Sequence, residues 1–122
     1  MMNRYKKGYR AENELTKLLS SLGYAVLRAP KSGKNTVDVI ACKNGNIFVF
    51  ECKHWKSNAR ISEKQLSHLM EFAKKAGGVA FIALKSNTGW SFLKAEDVAN
   101  GCKISNLLIA RKGFSVEFFE RY

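Results

Sequence analysis

The 122-residue sequence has one proline, two histidines, three cysteines and no long hydrophobic run. Cys42, Cys52 and Cys102 cannot all pair within one chain, and none belongs to a Cys-x-x-Cys motif, which argues against a disulfide framework or a zinc site. No stretch approaches the roughly 18 apolar residues that span a bilayer, and the N-terminus lacks the apolar segment of a signal peptide. We therefore expect reduced thiols and an intracellular, cytoplasmic protein with no membrane association.

Acidic residues are also scarce, with 10 Asp and Glu against 21 Lys and Arg, for a net charge of +11. A field of this sign attracts polyanions, and nucleic acid is the commonest polyanion inside cells. The alternative, a surface charged only for solubility, does not require so one-sided a balance. Hydrophobic residues make up 46% of the chain. Its length and composition predict one globular domain, residues 1–122.

Two helices are predicted from apolar spacing and capping signals. Leucines at helical spacing from Leu15 to Leu22 predict an N-terminal helix that Gly23 ends, with Glu12 at the edge of the leucine stripe. Ser62 and Gln65 form the pattern of a capping box, which predicts the start of a second helix. The apolar face predicted for that helix comprises Leu66, Leu69, Met70 and Ala73, and the helix is predicted to end at Gly77-Gly78.

The strands are predicted from apolar runs between turn signals. The Asn-Gly turn at residues 44–46 predicts a hairpin between the strands TVDVIACK and IFVFECK. The uniformly apolar run VAFIAL predicts a strand covered on both faces, followed by an outer strand, WSFLKA. NLLIA is interpreted as a further strand, and Ser115 as the cap of a short C-terminal helix. The expected class is α/β, a mixed central sheet flanked by helices.

The strand FVFECK places charges where a core is expected. Side chains alternate along a strand, so Phe48 and Phe50 point to one face while Glu51 and Lys53 point to the other. The hairpin can bring Asp38 beside Glu51, and two converging carboxylates suit a hard divalent cation such as Mg²⁺. A neighbouring lysine adds what metal-assisted phosphodiester hydrolysis requires. An ordinary surface ion pair between Glu51 and Lys53 is the alternative, which does not need Asp38.

At this point the sequence resembles a known family. Val37-Asp38, followed after twelve residues by Glu-Cys-Lys at 51–53, is similar to the signature of the PD-(D/E)xK nucleases, whose fold is restriction-endonuclease-like. KGYRAENEL, GYAVLRAPKSG, VDVIA and ECK, in this order, resemble the archaeal Holliday junction resolvases.

The resemblance implies residue roles. Glu12, Asp38 and Glu51 would be metal ligands, Lys53 the catalytic lysine and Ser32 a loop serine involved in cleavage. Arg28 would lie near DNA, and the implied cofactor is Mg²⁺, for which Mn²⁺ could substitute. Many relatives have Arg directly after the helical Glu, where this chain has Asn13.

Basic residues flank the acidic centre along the chain, and we expect them to contact DNA phosphates. They are Arg4, Lys6, Lys7, Arg10, Lys31, Lys34, Lys56 and Arg60.

The expected activity is endonucleolytic resolution of four-way DNA junctions. Two symmetric nicks need two sites, so a homodimer is expected, with Phe114, Phe118 and Phe119 near its interface. Two alternatives stay open at this point. One is a related nuclease acting on flaps, mismatches or duplex, and the other is a junction-binding protein without catalysis.

Overall fold

A computed structural model describes residues 4–29, 37–54, 59–98 and 103–122, with the backbone alone described for residues 4–9. The helices within these ranges are α1 Arg4–Ser21, α2 Glu63–Ala76 and α3 Asn106–Lys112, with 3₁₀ helices at Ala95–Asp97 and Val116–Arg121. The strands are β1 Ala25–Arg28, β2 Val39–Lys43, β3 Asn46–His54, β4 Ala59–Arg60, β5 Val79–Ser86, β6 Gly89–Lys94 and β7 Lys103–Ile104.

Five of the described strands form a mixed sheet in the order β1-β2-β3-β5-β6. Neighbouring strands are antiparallel except β3 and β5, which run parallel and are joined through α2. β4 and β7 form a small separate antiparallel pair that the sequence analysis did not anticipate. The predicted class is confirmed: a mixed sheet with helices packed against it.

The β2–β3 hairpin turns at the predicted Asn-Gly pair. Asn44 has φ +50° and Gly45 has φ +83°, the left-handed values that a tight hairpin turn demands and that Asn and Gly tolerate best. The resulting register pairs Lys43 with Asn46 at the turn and Val39 with Phe50 at the far end. Just before β2, the Asp38 backbone N–H also donates to the carbonyl of Phe50, so Asp38 and Val39 both lie against Phe50 at this end of the hairpin.

The two faces of the sheet carry different cores. On one face, α1 and the C-terminal 3₁₀ helix pack on a cluster that includes Phe48, Phe50, Phe81 and Phe119. On the other face, α2 packs on aliphatic residues of β3, β5 and β6. These are Val49, Ala80, Ile82, Leu84 and Leu93. Both faces of β3 and β5 are therefore covered, which explains the uniformly apolar sequence of β5.

Helix α2 has the predicted start and end. The Ser62 Oγ accepts from the Gln65 backbone N–H at 3.0 Å, and the Ser62 backbone N–H donates to Gln65 Oε1 at 3.2 Å, which completes the capping box. Gly77, with φ +73°, ends the helix. The predicted burial of Met70 was wrong: Met70 is 41% exposed, while Phe72 packs against the aliphatic core.

Two interpretations of the C-terminal third require correction. NLLIA is not a strand, because Ser105 Oγ accepts from the Leu108 N–H at 3.1 Å and caps α3. Phe119 is fully buried within the chain, its ring 4.8 Å from that of Phe92, so Phe119 is unavailable to a dimer interface. The segment after Ser115 is helical as predicted, in the 3₁₀ form.

None of the helices within the described ranges is long and apolar enough to cross a membrane.

Candidate active site

Asp38 and Glu51 meet at the end of the β2–β3 hairpin, on the face of the sheet that α2 covers. The Asp38 backbone N–H donates at 2.9 Å to the carbonyl of Phe50, which also pairs with Val39, so two successive residues lie opposite one residue of β3, as in a β-bulge. The Cys52 backbone N–H in turn donates to Asp38 Oδ2 at 2.8 Å. These two bonds fix the Asp38 carboxylate against β3, where it also forms a side-chain hydrogen bond with Glu51. The predicted convergence of the two carboxyl groups is confirmed.

The electrostatics of this pair are those of two acids competing for one proton. Burial, followed by the charge of Asp38, raises the pKa of Glu51 from 4.5 to about 8. Lys53 opposes this shift, whereas the hydrogen bond with Asp38 and the charge of Glu12 add to it. Near neutral pH the pair therefore holds a proton between its oxygens, at a place where a cation would satisfy both carboxylates.

Lys53 lies two residues beyond Glu51 on the same face of β3 and reaches toward α2. Its Nζ donates to Gln65 Oε1 at 3.2 Å, the same oxygen that accepts the capping-box bond from the Ser62 N–H. The sequence pattern predicts a capping role for Gln65 but does not predict its contact with Lys53. The sequence contains part of the signal for this contact, because Gln65 is the third residue of α2, the helix that follows the strand carrying Lys53.

Glu12 lies on α1, which packs on the sheet face opposite to α2. It is 3% exposed, in agreement with its predicted place at the edge of the leucine stripe. It acts on Glu51 through its charge, the smallest of the influences that raise the pKa of that group. An acid so deeply buried beside two others would be stabilised by a nearby cation.

The donor set fits a hard divalent cation. Carboxylate oxygens are the ligands that Mg²⁺ and Mn²⁺ favour, and the proton shared by Asp38 and Glu51 occupies a place that such a cation could take. Across the part of the chain that the structure describes, no three His, Cys, Asp or Glu side chains form a metal-binding cluster. The structure thus shows the contact between Asp38 and Glu51, while the assignment of Glu12, Asp38 and Glu51 as metal ligands stays a prediction.

A groove of about 880 Å³ lies at the ends of β3 and β5. Arg10, from the helix that carries Glu12, lines it together with His54, which follows Lys53 on β3. Lys85 also lines the groove and forms an ion pair with Glu14 at 3.3 Å. The groove therefore presents basic groups, at the strand end beyond Lys53, that a phosphate backbone could contact.

The other predicted DNA-contacting residues fall into three groups. Arg10 and Arg60 are exposed, whereas Arg28 is half-buried at the end of β1, where it pairs with Val39. Arg4, Lys6 and Lys7 belong to α1, whose first residues have only their backbone described. Lys31, Lys34 and Lys56 lie outside the described residues, as does Ser32, the loop serine predicted to take part in cleavage.

A comparison with known protein families decides the classification. The profile of the archaeal Holliday junction resolvase (Hjc) family matches residues 3–119, nearly the whole chain. The chain belongs to the archaeal Holliday junction resolvase family. This membership agrees with the motifs that surround Asp38 and Glu51.

Relatives of this family match along their length. The crossover junction endodeoxyribonuclease Hjc of Methanocaldococcus jannaschii is 31% identical over 121 residues, which cover 98% of this chain and 90% of that protein. The Hjc of Sulfolobus acidocaldarius is 33% identical over 130 aligned positions, covering 99% of this chain and 91% of that protein.

A solved structure has the same fold. It is that of Archaeoglobus fulgidus Hjc, described as a Holliday junction resolvase from an archaeal hyperthermophile. The TM-score is 0.85 at 23% identity, with 93% of this chain and 99% of that chain covered. The restriction-endonuclease-like Hjc fold expected from the sequence is thereby confirmed.

Proposed function

We propose that this protein is a Mg²⁺-dependent endonuclease that resolves four-way DNA junctions by paired symmetric nicks, acting inside the cell as a homodimer. The observation that carries the proposal is the hydrogen-bonded pair Asp38 and Glu51, with Lys53 beside it, in a chain of the Hjc family. The net charge of +11 supports a nucleic-acid substrate.

Asp38 and Glu51 would hold the divalent cation, with Glu12 adding negative charge from the opposite layer. Such a cation supplies Lewis-acid stabilisation of the charge that develops on the scissile phosphate. The bond from the Cys52 N–H orients the Asp38 carboxylate beside Glu51, where both could contact the cation. The covered sheet around the pair keeps the carboxylates from relaxing away from each other.

Lys53 would contact the reacting phosphate or the attacking water. It is held on the face of β3 that carries Glu51, so its Nζ and the carboxylate pair serve one reaction centre. An amine at this position can move a proton or balance negative charge on the phosphate. Arg10 and the groove that it lines would guide the DNA backbone toward this centre.

A homodimer follows from the proposed reaction. Resolution of a junction requires cuts in two strands related by symmetry, and each chain supplies one Asp38 and Glu51 pair. A two-fold dimer places two such pairs in matching orientations. A monomer that resolves junctions with paired nicks would contradict this part of the proposal.

The proposal can be tested with a synthetic four-way junction and a linear duplex of matching sequence, each incubated with Mg²⁺ or with EDTA. We expect Mg²⁺-dependent nicks in the junction and little cutting of the duplex. Asp38→Asn keeps an oxygen to accept from the Cys52 N–H but removes the charge, so cleavage should be abolished in a folded protein. Asp97→Asn is the matched control, since Asp97 lies in the 3₁₀ helix after β6.

Each outcome of this test distinguishes the proposed function from an alternative. Equal cutting of junction and duplex would overturn junction specificity and favour a broader nuclease. Tight junction binding with no cutting in Mg²⁺ or Mn²⁺ would favour a binding protein. Unchanged cutting by Asp38→Asn would overturn the assignment of the site.

A further inference from the structure

Gln65 links the start of α2 to Lys53 through a single oxygen atom. Gln65 Oε1 accepts from Lys53 Nζ at 3.2 Å and from the backbone N–H of Ser62 at 3.2 Å. The backbone N–H of Gln65 donates to Ser62 Oγ at 3.0 Å, so the capping box fixes the side chain and backbone of Gln65 together. The lysine is thus bound to an oxygen whose own position is already set.

The surroundings of Lys53 explain why such an acceptor matters. A lysine side chain has four rotatable carbon–carbon bonds and loses much rotamer freedom when it is held in place. The N-terminus of α2 carries partial positive charge and by itself repels an ammonium group. Gln65 Oε1 supplies an acceptor at this helix end and holds the lysine near it.

The contact with Gln65 also leaves other N–H donors of Lys53 for the reaction. An ammonium group has three N–H donors, and the bond to Gln65 uses one of them. Glu51 lies on the same face of β3 and interacts with Lys53 through its charge. Lys53 therefore lies between the carboxylate pair and a neutral acceptor on α2, where further donors can point to a phosphate.

We infer that Gln65 is a positioning residue for the reaction: it holds Lys53 in the geometry that phosphodiester cleavage requires, in addition to capping α2. This inference rests on the proposed function, because it presupposes that Lys53 takes part in cleavage. Gln65 Oε1 thereby has two roles, since it accepts the capping-box bond from the Ser62 N–H and also accepts from Lys53.

The test compares variants that divide these two roles. Gln65→Leu removes the acceptor, whereas Gln65→Glu keeps an oxygen at the same reach and remains a good capping-box residue. Ser62→Ala removes the hydroxyl cap but retains the Ser62 backbone N–H and the bond between Gln65 and Lys53. Gln65→Ala, a good helix former, replaces Gln65→Leu if the latter does not fold.

The measurements are the single-turnover cleavage rate at saturating junction, the junction Kd and the melting temperature. Gln65→Leu should cut about 10- to 100-fold more slowly, the effect of losing a hydrogen bond to a charged group, with its Kd within about 2-fold of wild type. Gln65→Glu should restore the rate to within about 3-fold. Ser62→Ala should melt at a lower temperature yet cleave at close to the wild-type rate.

Two results would contradict the inference. One is a cleavage rate for Gln65→Leu or Gln65→Ala equal to that of Ser62→Ala, which would leave Gln65 a capping role alone. The other is a loss in Gln65→Glu as large as in Gln65→Leu. Lys53→Met separates this failure from that of the proposed function: full cutting by Lys53→Met would overturn the assigned active site, whereas its inactivity beside an active Gln65→Leu would overturn only the role of Gln65.

Discussion

The two faces of strand β3 show how one segment can serve both stability and chemistry. One face presents Phe48 and Phe50 to an aromatic cluster, where the ring of Phe50 lies 5.5 Å from that of Phe119. The other face carries Ile47 and the buried Val49, followed by Glu51 and Lys53. Packing of the aromatic face fixes the position of β3. The opposite face can therefore carry Glu51 and Lys53, whose burial would otherwise favour movement of the strand toward solvent.

This comparison explains why the charged residues are tolerated inside a covered sheet. Burying a charged carboxylate without a partner costs free energy. Glu51 interacts with both Asp38 and Lys53, and a cation bound beside it would also balance its charge. Rigid neighbours keep these partners at fixed positions. The difference between the faces leads to distinct expectations for substitutions on each.

The largest effect is expected on the charged face. Lys53→Met keeps the length of the side chain and removes its amine, so junction cleavage should fall about 10²- to 10⁴-fold. The melting temperature should change little, because the half-buried lysine contributes to chemistry more than to packing. Single-turnover cleavage and thermal melting of the same preparation measure the two quantities. A comparable loss in Lys75→Met, an exposed residue on α2, would contradict the assignment.

The next effect is expected on the aromatic face. Phe50 is fully buried against Phe81, Phe92 and Phe119, and Phe50→Ala should lower the free energy of unfolding by about 3–5 kcal/mol. Denaturant unfolding measures this change. Leu107→Ala is the control, since Leu107 is 62% exposed and its loss should alter stability by less than about 0.5 kcal/mol. If Phe50→Ala were as stable as this control, the aromatic face would not be what holds β3.

A smaller effect is expected from pH in the metal-free protein. Because the pKa of Glu51 is raised from 4.5 to about 8, the folded state holds a proton that the unfolded state releases in this range. The contribution of Glu51 is therefore fully present below pH 4.5 and is lost as pH rises through about 8. Since Asp38 shares the proton, we expect a net loss of about 2–4 kcal/mol.

Denaturant unfolding in EDTA at several pH values measures this dependence. Glu51→Gln should flatten it, because the amide does not titrate. Added Mg²⁺ should restore stability at the upper end of the range, since a cation would replace the proton between the carboxylates. A pH dependence that is the same in wild type and Glu51→Gln would contradict the environment described for Glu51.

Much of the fold was predictable where local chemistry decides structure. The Asn44-Gly45 turn, the capping box at Ser62 and the left-handed end at Gly77 are all specified by a few neighbouring residues. Apolar patterning also predicted that β5 is covered on both faces. These features depend on backbone preferences and on periodicity, which a sequence displays directly.

Of three failures, one came from a local cap that was overlooked, and two concern pairing and packing between distant parts of the chain. Leu107, Leu108 and Ile109 form an apolar run with the composition of a strand, but a Ser105 cap makes it helical. The β4–β7 pair has two residues in each strand, too few to show alternation. Burial of Phe119 depends on the sheet face to which the last 3₁₀ helix returns, and local sequence does not determine that choice.

The candidate site also combines features that the local sequence predicts with features that depend on tertiary packing. The Asn-Gly turn was enough to predict that the hairpin brings Asp38 beside Glu51, whereas it did not predict that Asp38 and Val39 both lie opposite Phe50. The contact between Lys53 and Gln65 was not, because it depends on how α2 packs across the sheet. The grouping of Glu12 with these residues came from family resemblance, and its burial now supports a place close to them.

The most direct test of the account replaces Glu51 with glutamine and measures cleavage and stability together. Glu51→Gln keeps the shape of the side chain and its ability to hydrogen bond with Asp38, while removing the charge that a cation needs. We predict that junction cleavage in Mg²⁺ falls at least about 1000-fold, while the denaturation midpoint at pH 8 in EDTA equals or exceeds that of wild type. Cleavage within about 10-fold of wild type by a folded Glu51→Gln protein would contradict the central claim that this face of β3 performs the chemistry.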